Sequence, residues 1–253
     1  MHTILHKRVQ TLFQQGLDLL FPPRCAGCQQ SGHLLCPACL QTMQPLPLSL
    51  CQHCGILLSA PLGLCASCRQ HPPRGVQGIR SVHLYQGALR KAIHELKYAG
   101  EKRLAEPLGR LLAQAFTHYG MHADGLVPLP LHAQRQQQRG YNQADLLARI
   151  SASYLKVPCL EDLVIRPRPT RAQVGLNAQQ RQQNVSGAFT LAPGAQTRPL
   201  ANATLVLIDD VCTTGATLEA CAGPLYAAGV REVWGLVLAR PVDMIQDASK
   251  VML

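Results

Sequence analysis

Apolar residues recur at helical spacing near the N-terminus, at Ile4, Leu5, Val9, Leu12, Phe13, Leu17 and Leu20. They predict a short amphipathic helix over 4–20, within an N-terminal segment 1–24. From 25 to 75 that periodicity stops, and Cys, Pro, Leu and Gln take over with too few apolar residues for a core. Beyond the Pro72-Pro73 pair, strand-like and helix-like blocks alternate. The pattern predicts strands over 79–85, 125–130, 204–208 and 232–238, and helices over 87–98, 104–119, 142–154 and 214–228. Strands interleaved with helices predict a parallel sheet flanked by helices, so 76–253 is expected to be one α/β domain. The stretch 166–186 is rich in Arg, Gln, Pro and Asn and predicts a long loop, of the kind that closes over ligands.

The cysteines explain the segment without a core. Eight of the eleven fall in four CxxC pairs: Cys25/Cys28, Cys36/Cys39, Cys51/Cys54 and Cys65/Cys68. A CxxC turn aims two sulfurs at one centre, and two such turns complete the tetrahedron that zinc takes in closed structural sites. Seven residues separate the first two pairs and ten the last two. Sequential pairing into two zinc ribbons is the simplest assignment; a cross-brace, first pair with third and second with fourth, fits the spacing too. Four thiolates leave no open coordination position, so these metals, one or two Zn²⁺, are expected to be structural. His33, His53 and His71 lie nearby and read as surface histidines, while Cys159, Cys212 and Cys221 read as buried or half-buried thiols.

Composition narrows the setting. The 253 residues are 47% apolar, which excludes a disordered chain, and 20 glycines with 18 prolines imply many turns. The first residues carry no secretory apolar run, and no window approaches a membrane span, so a cytoplasmic protein without membrane insertion is expected. Reduced thiols in that compartment favour metal over disulfides. The formal charge of +10 asks for an anionic partner, phosphate or nucleic acid.

The densest chemistry is LVLIDDVCTTGAT at 205–217. A β-branched strand runs into Asp209 and Asp210, then into the turn Thr213-Thr214-Gly215-Ala216-Thr217, then into a helix. Backbone N–H groups and hydroxyls at a helix N-terminus suit a phosphate, and Gly215 permits the tight turn. Paired carboxylates at the carboxyl end of a parallel strand can accept hydrogen bonds from sugar hydroxyls. Phosphate and diol together describe a ribose 5-phosphate. Upstream, Val127–His132 reads as a strand and turn that includes Pro130 and His132. Arg135 and Arg139 follow it, and the guanidinium forks converge with a helix N-terminus on an anion.

This segment resembles the 5-phosphoribosyl 1-pyrophosphate (PRPP) signature of type I phosphoribosyltransferases: four apolar residues, two acids, then TGxT. More of the chain resembles a narrower group. The four CxxC pairs, LKYAG (96–100), VPLPLHAQRQQQRGYNQADLLA (127–148), RPTRAQVGLNAQQRQQNVSGAF (168–189) and the PRPP loop occur in the order of the ComF family of competence-associated phosphoribosyltransferase-like proteins. The resemblance implies a type I phosphoribosyltransferase-like parallel sheet behind a double zinc ribbon over 25–75. It also implies Mg²⁺ bound with PRPP, transfer of phosphoribosyl to an acceptor, and a part in competence and DNA uptake. By the same resemblance Asp209 and Asp210 hold the ribose hydroxyls, Thr213, Thr214, Gly215, Ala216 and Thr217 cradle the 5-phosphate, and Pro130, His132, Arg135 and Arg139 face the pyrophosphate. The 166–186 loop is the lid, with Arg168, Arg171, Gln173, Arg181 and Asn184 as contacts, and Lys97 is a further candidate that otherwise reads as a surface lysine. Asp209, Asp210 and Arg135 are the expected catalytic groups. Purine-salvage members place an acid where this chain has Thr213, which counts against a 6-oxopurine acceptor. A non-catalytic PRPP sensor or single-stranded-DNA-binding accessory is the other reading.

Zinc redistributes the charge. Each Zn²⁺ held by four thiolates carries −2, so two sites lower the total to about +6 and bring the first 75 residues to about zero. The excess then sits in 132–185, with eight basic and three acidic side chains, around the expected pyrophosphate turn and lid.

Overall fold

The structure is a computed structural model, described here for residues 22–43, 45–46, 49–58, 63–70, 75–170, 178–195 and 199–241. The helix expected over 4–20 lies outside these residues. In chain order the elements are α1 (Pro37–Gln41), α2 (Ala66–Gln70), β1 (Gly78–Leu84), α3 (Gly87–His94), α4 (Ala105–His118), β2 (Gly125–Pro128), α5 (Ala133–Arg139), α6 (Gln143–Leu155), β3 (Val164–Ile165), α7 (Ala178–Val185), β4 (Thr190–Leu191), β5 (Thr204–Val211), α8 (Ala216–Ala227) and β6 (Glu232–Arg240).

Four strands form a parallel sheet in the order β1-β6-β5-β2, and β3 pairs with β4 in a separate antiparallel ladder. The sheet is buried on both faces, which is why β5 and β6 read as continuous apolar runs. Alternation sends Val206, Ile208, Leu236 and Leu238 to one core, beneath α3, α4 and α6. Leu205, Leu207, Val233 and Val237 go to the other, beneath α7 and α8. Asp209 and Asp210 continue this alternation at the carboxyl end of β5, so their side chains leave toward opposite faces.

Two expected elements differ. The helix expected over 87–98 ends as an α-helix at His94 and widens into a π-turn over Glu95–Ala99, closed by Gly100 in the left-handed region at φ 73°. One extra residue in the turn rotates the residues after it by about 100° relative to a straight α-helix. The expected 166–186 loop contains α7 over Ala178–Val185. Its Val185 is 1% exposed and belongs to the core beneath α7 and α8, an anchor that a mostly polar stretch hides from periodicity.

The Cys-rich units dock directly on this body. Cys25, Cys36, Cys39 and Met43 share the core beneath α3. Lys91 Nζ donates to Gly27 O at 2.8 Å, and a Cβ on Gly27 would stand 2.7 Å from Ala88 Cβ. The second unit lies along the free edge of β1, where Ile79 N donates to His53 O at 2.7 Å and Arg80 Nη1 to Gln52 O at 3.1 Å. Leu46 N, between the two cysteine groups, also donates to Val82 O, so this stretch and the second unit together cover an edge that would otherwise present unpaired backbone groups.

Candidate functional site

The cysteines assemble sequentially. Cys25, Cys28, Cys36 and Cys39 form one group and Cys51, Cys54, Cys65 and Cys68 a second, with the sulfurs of each group within 4.8 Å of one another. The cross-brace is therefore excluded. Sulfurs 2.3 Å from a tetrahedral zinc stand about 3.8 Å apart, and the Cys28–Cys36 and Cys54–Cys65 separations are 3.6 and 3.7 Å.

The two groups repeat one design. Residues one before the first Cys and three after the second bridge antiparallel, Arg24 to Ser31 and Leu50 to Leu57. The third Cys precedes a one-turn helix carrying the fourth, and its N–H donates to the first sulfur at 3.3 Å in both groups. Burial and the sulfurs of Cys36, Cys25 and Cys28 push the Cys39 thiol up to about 12, and burial pushes Cys68 likewise to about 12. Against its own burial, Cys25 is drawn down to about 6 by the backbone N–H groups of Cys28, Cys36 and Gly27. Four thiolates so crowded need a cation among them, and this donor set and spacing fit Zn²⁺.

At the carboxyl ends of β5 and β2 lies the second constellation. Asp210 is 2% exposed and its Oδ1 pairs with Lys97 Nζ at 2.7 Å, while its buried Oδ2 has no hydrogen-bond partner. The π-turn makes this pairing, because its extra residue brings Lys97 around to the sheet end. Burial alone would lower the Lys97 ammonium, but Asp210 and then Asp209 hold it above the usual lysine range. Burial and the neighbouring Asp210 charge raise Asp209 to about 7 against the pull of Lys97, and Asp209 Oδ1 accepts from Asp210 N at 2.8 Å.

Next comes the turn. Asp209, Val211, Cys212 and residues 213–218 line a small concavity at the start of α8. Gly215 has φ 89°, and a Cβ there would stand 2.8 Å from Ile79 Cδ1, so both conformation and space demand glycine. Thr214 Oγ1 accepts from Ala216 N at 3.4 Å, and Arg240 Nη2 donates to Thr213 O at 2.8 Å.

Across the site, Leu129 N continues β2 by donating to Ile208 O. Asn142, 4% exposed, caps α6 through its accepted bond from Ala144 N and donates to Leu129 O, fixing the 129–142 turn from below. Pro130 and His132 are half-buried in that turn and Arg135 is exposed on α5. Arg139 donates to Gln143 Oε1 and its guanidinium lies 5.5 Å from the Tyr98 ring centre, next along the chain from Lys97. Tyr141 Oη donates to Leu96 O and tethers the same π-turn.

The structure thus joins Lys97, Asp209, Asp210 and the 213–217 turn, with Arg139 at their margin. Lys97 is not the surface lysine its helical spacing suggests. Arg171 and Gln173 lie outside the described residues. Arg168 is exposed and donates to the backbone carbonyls of Asn184 and Ser186, at the end of α7. Arg166 was legible only as the start of a loop. Its Nε is buried without a hydrogen-bond partner and its guanidinium stacks 5.1 Å from the Phe189 ring centre. Burial and the Arg135 charge lower its pKa while Asp209 opposes them, so it belongs to the electrostatics of the site. Only the short β3–β4 ladder beside it could have hinted at its fixed position.

Comparison with known proteins accords with this architecture. Residues 16–69 match the double zinc ribbon domain family. The chain is therefore an α/β protein carrying a double zinc ribbon. It is 35% identical to competence protein F of Haemophilus influenzae over 227 residues, 85% of this chain and 97% of that one. With the DNA utilization protein YhgH of Escherichia coli K12 it shares 32% over 229 residues, covering 86% and 98%. With the competence protein ComFC of Bacillus subtilis it shares 25% over 205 residues, covering 77% and 79%. The chain belongs to the ComF family. Among solved structures, TT1426 from Thermus thermophilus aligns at TM-score 0.36 and 18% identity over 58% of this chain and 79% of that one. Orotate phosphoribosyltransferase from Aeropyrum pernix aligns at TM-score 0.34 and 17% identity, covering 60% and 64%. No helix among the described residues is long and apolar enough to cross a membrane.

Proposed function

We propose that this chain binds PRPP at the carboxyl ends of β5 and β2 and transfers its phosphoribosyl group to an acceptor, in the cytoplasm and in the service of DNA uptake. The observation that carries the reading is buried Asp210 next to half-buried Asp209, beside a left-handed glycine turn at the start of α8. In this reading the orphaned Asp210 Oδ2 and Asp209 accept from the ribose hydroxyls, and the N–H groups of the 213–217 turn take the 5-phosphate. Arg135, Arg139 and Arg166 neutralise charge growing on the departing pyrophosphate. The described part of the lid, 178–186, helps keep water from C1 while the C1–O bond breaks and the acceptor bond forms. Mg²⁺ bound with PRPP beside Asp209 and Asp210 would supply positive charge to offset the charge growing on the pyrophosphate. The domain 76–253 carries the chemistry and 25–75 the zinc.

The test is incubation with PRPP, Mg²⁺ and a panel of bases and amines. Pyrophosphate release above the enzyme-free rate supports transfer, and its absence with every acceptor refutes it. A second reading, a PRPP sensor without catalysis, is favoured by the Lys97–Asp210 pair, which already satisfies one carboxylate oxygen. Under that reading PRPP binds by calorimetry and no pyrophosphate appears. If the protein also engages single-stranded DNA, as the relatives' names invite, the affinity should fall steeply with salt.

A further inference from the structure

The second four-cysteine group stands directly behind the turn assigned to the phosphate. Two residues span the gap. Ile79 donates its N–H to His53 O, its own carbonyl lies 2.1 Å from where a Cβ on Gly55 would be, and its Cδ1 packs under Gly215. Arg240 ends β6 with 2% exposure. Its Nη1 lies 3.8 Å from the same Gly55 position, one residue beyond the ligand Cys54, and its Nη2 holds Thr213 O at 2.8 Å. A buried guanidinium is costly unless a negative group faces it. Four thiolates around Zn²⁺ carry −2, and that charge lies on the Gly55 side of Arg240. The first four-cysteine group has a different neighbour, packing through Gly27 against α3.

We propose that the second zinc site is the support of the 213–217 turn, with Arg240 as the positioning residue that transmits it: zinc holds the Cys51–Cys68 group, the group holds Arg240, and Arg240 fixes the Thr213 carbonyl. The turn's readiness for an anion then depends on metal at the second site and not at the first. The proposal rests on the reading of this turn as an anion site only where ligand binding is measured.

Hydrogen exchange of the 213–217 amides tests the support without any ligand. In the full chain, Arg240→Gln and Cys54→Ser should each speed exchange there at least tenfold, whereas Cys28→Ser in the first group changes it less than twofold. Equal protection in Arg240→Gln, or an equal effect of Cys28→Ser, overturns the proposal. If Arg240→Gln does not fold, staged removal of zinc from the wild-type chain by a chelator replaces it. Loosening of the turn must then follow zinc loss from the second group, identified by alkylation of its freed cysteines, and loosening that follows the first group instead is a refutation.

Coupling must also run backwards. Saturating ribose 5-phosphate should slow chelator stripping of the second zinc at least fivefold in the wild type, less in Arg240→Lys and not at all in Arg240→Gln, a pattern that mere structural damage does not produce. Wild-type binding of ribose 5-phosphate without slower stripping overturns the proposal. Absence of wild-type binding refutes the phosphate assignment alone, and the exchange experiment still decides on the support.

Discussion

Replacing Asp209 by Asn removes a charge that the fold holds against its preference. Burial and Asp210 raise this carboxyl from 3.8 to about 7, so between those values the native chain binds a proton that the unfolded chain has released. Stability therefore falls as pH rises through that window and levels off above about pH 7. A shift of that size corresponds to at most about 4 kcal/mol, at roughly 1.4 kcal/mol per unit. Asn keeps the acceptor for Asp210 N, but Lys97 loses one of its two attracting carboxylates. A net gain of about 2 kcal/mol at pH 8, or roughly 4 °C for a chain of this size, is expected. The assay is thermal unfolding of both proteins from pH 5.5 to 8.5 in magnesium-free buffer. The variant's advantage should grow with pH and reach a plateau near pH 7.5. A difference that is flat across the range, or largest at low pH, refutes the account of Asp209.

Lys97→Met leaves Asp210 buried without its cation and should cost about 3 kcal/mol in urea unfolding at pH 7.5, with a smaller loss at pH 5, where Asp209, raised to about 7, carries a proton and adds no second negative charge. Gly215→Ala must hold a side chain at positive φ against Ile79, costing about 1–3 kcal/mol; a Tm within 1 °C of the wild type would contradict the close approach. Metal analysis should find two zinc ions per chain, falling to one in Cys28→Ser and in Cys54→Ser. Asn142→Ala removes the α6 cap and the tie to Leu129, with an expected loss of about 1–2 kcal/mol by denaturant unfolding.

Some of this molecule is local and can be read along the chain. Four CxxC pairs state their metal, because each brings two sulfurs together within four residues. The run 204–208 states a strand, because no polar position interrupts it between Thr204 and Asp209, and the structure buries it on both faces and extends it to Val211. Gly215 states a turn, because only glycine reaches its φ without cost. Other features depend on residues far apart. Lys97 joins the site only through the π-turn, whose widened step periodicity read as ordinary helix. Arg166 and Arg240 sit in segments without distinctive spacing and gain their places from Asp209, Phe189, Thr213 and the second four-cysteine group, which the chain brings to them from elsewhere.

The sheet strands, most helices of the 76–253 body, the four CxxC pairs and the glycine turn after Asp210 were thus legible from residue order, since they rest on backbone preference and on chemistry within a few positions. Folding in three dimensions settled which cysteines share a centre, that Asp209 and Asp210 face opposite sides of the sheet, and that Lys97 answers one of them. It also placed the second ribbon behind the turn. Ion pairing, burial and contact across the sheet act through space, and the order of residues does not contain those distances.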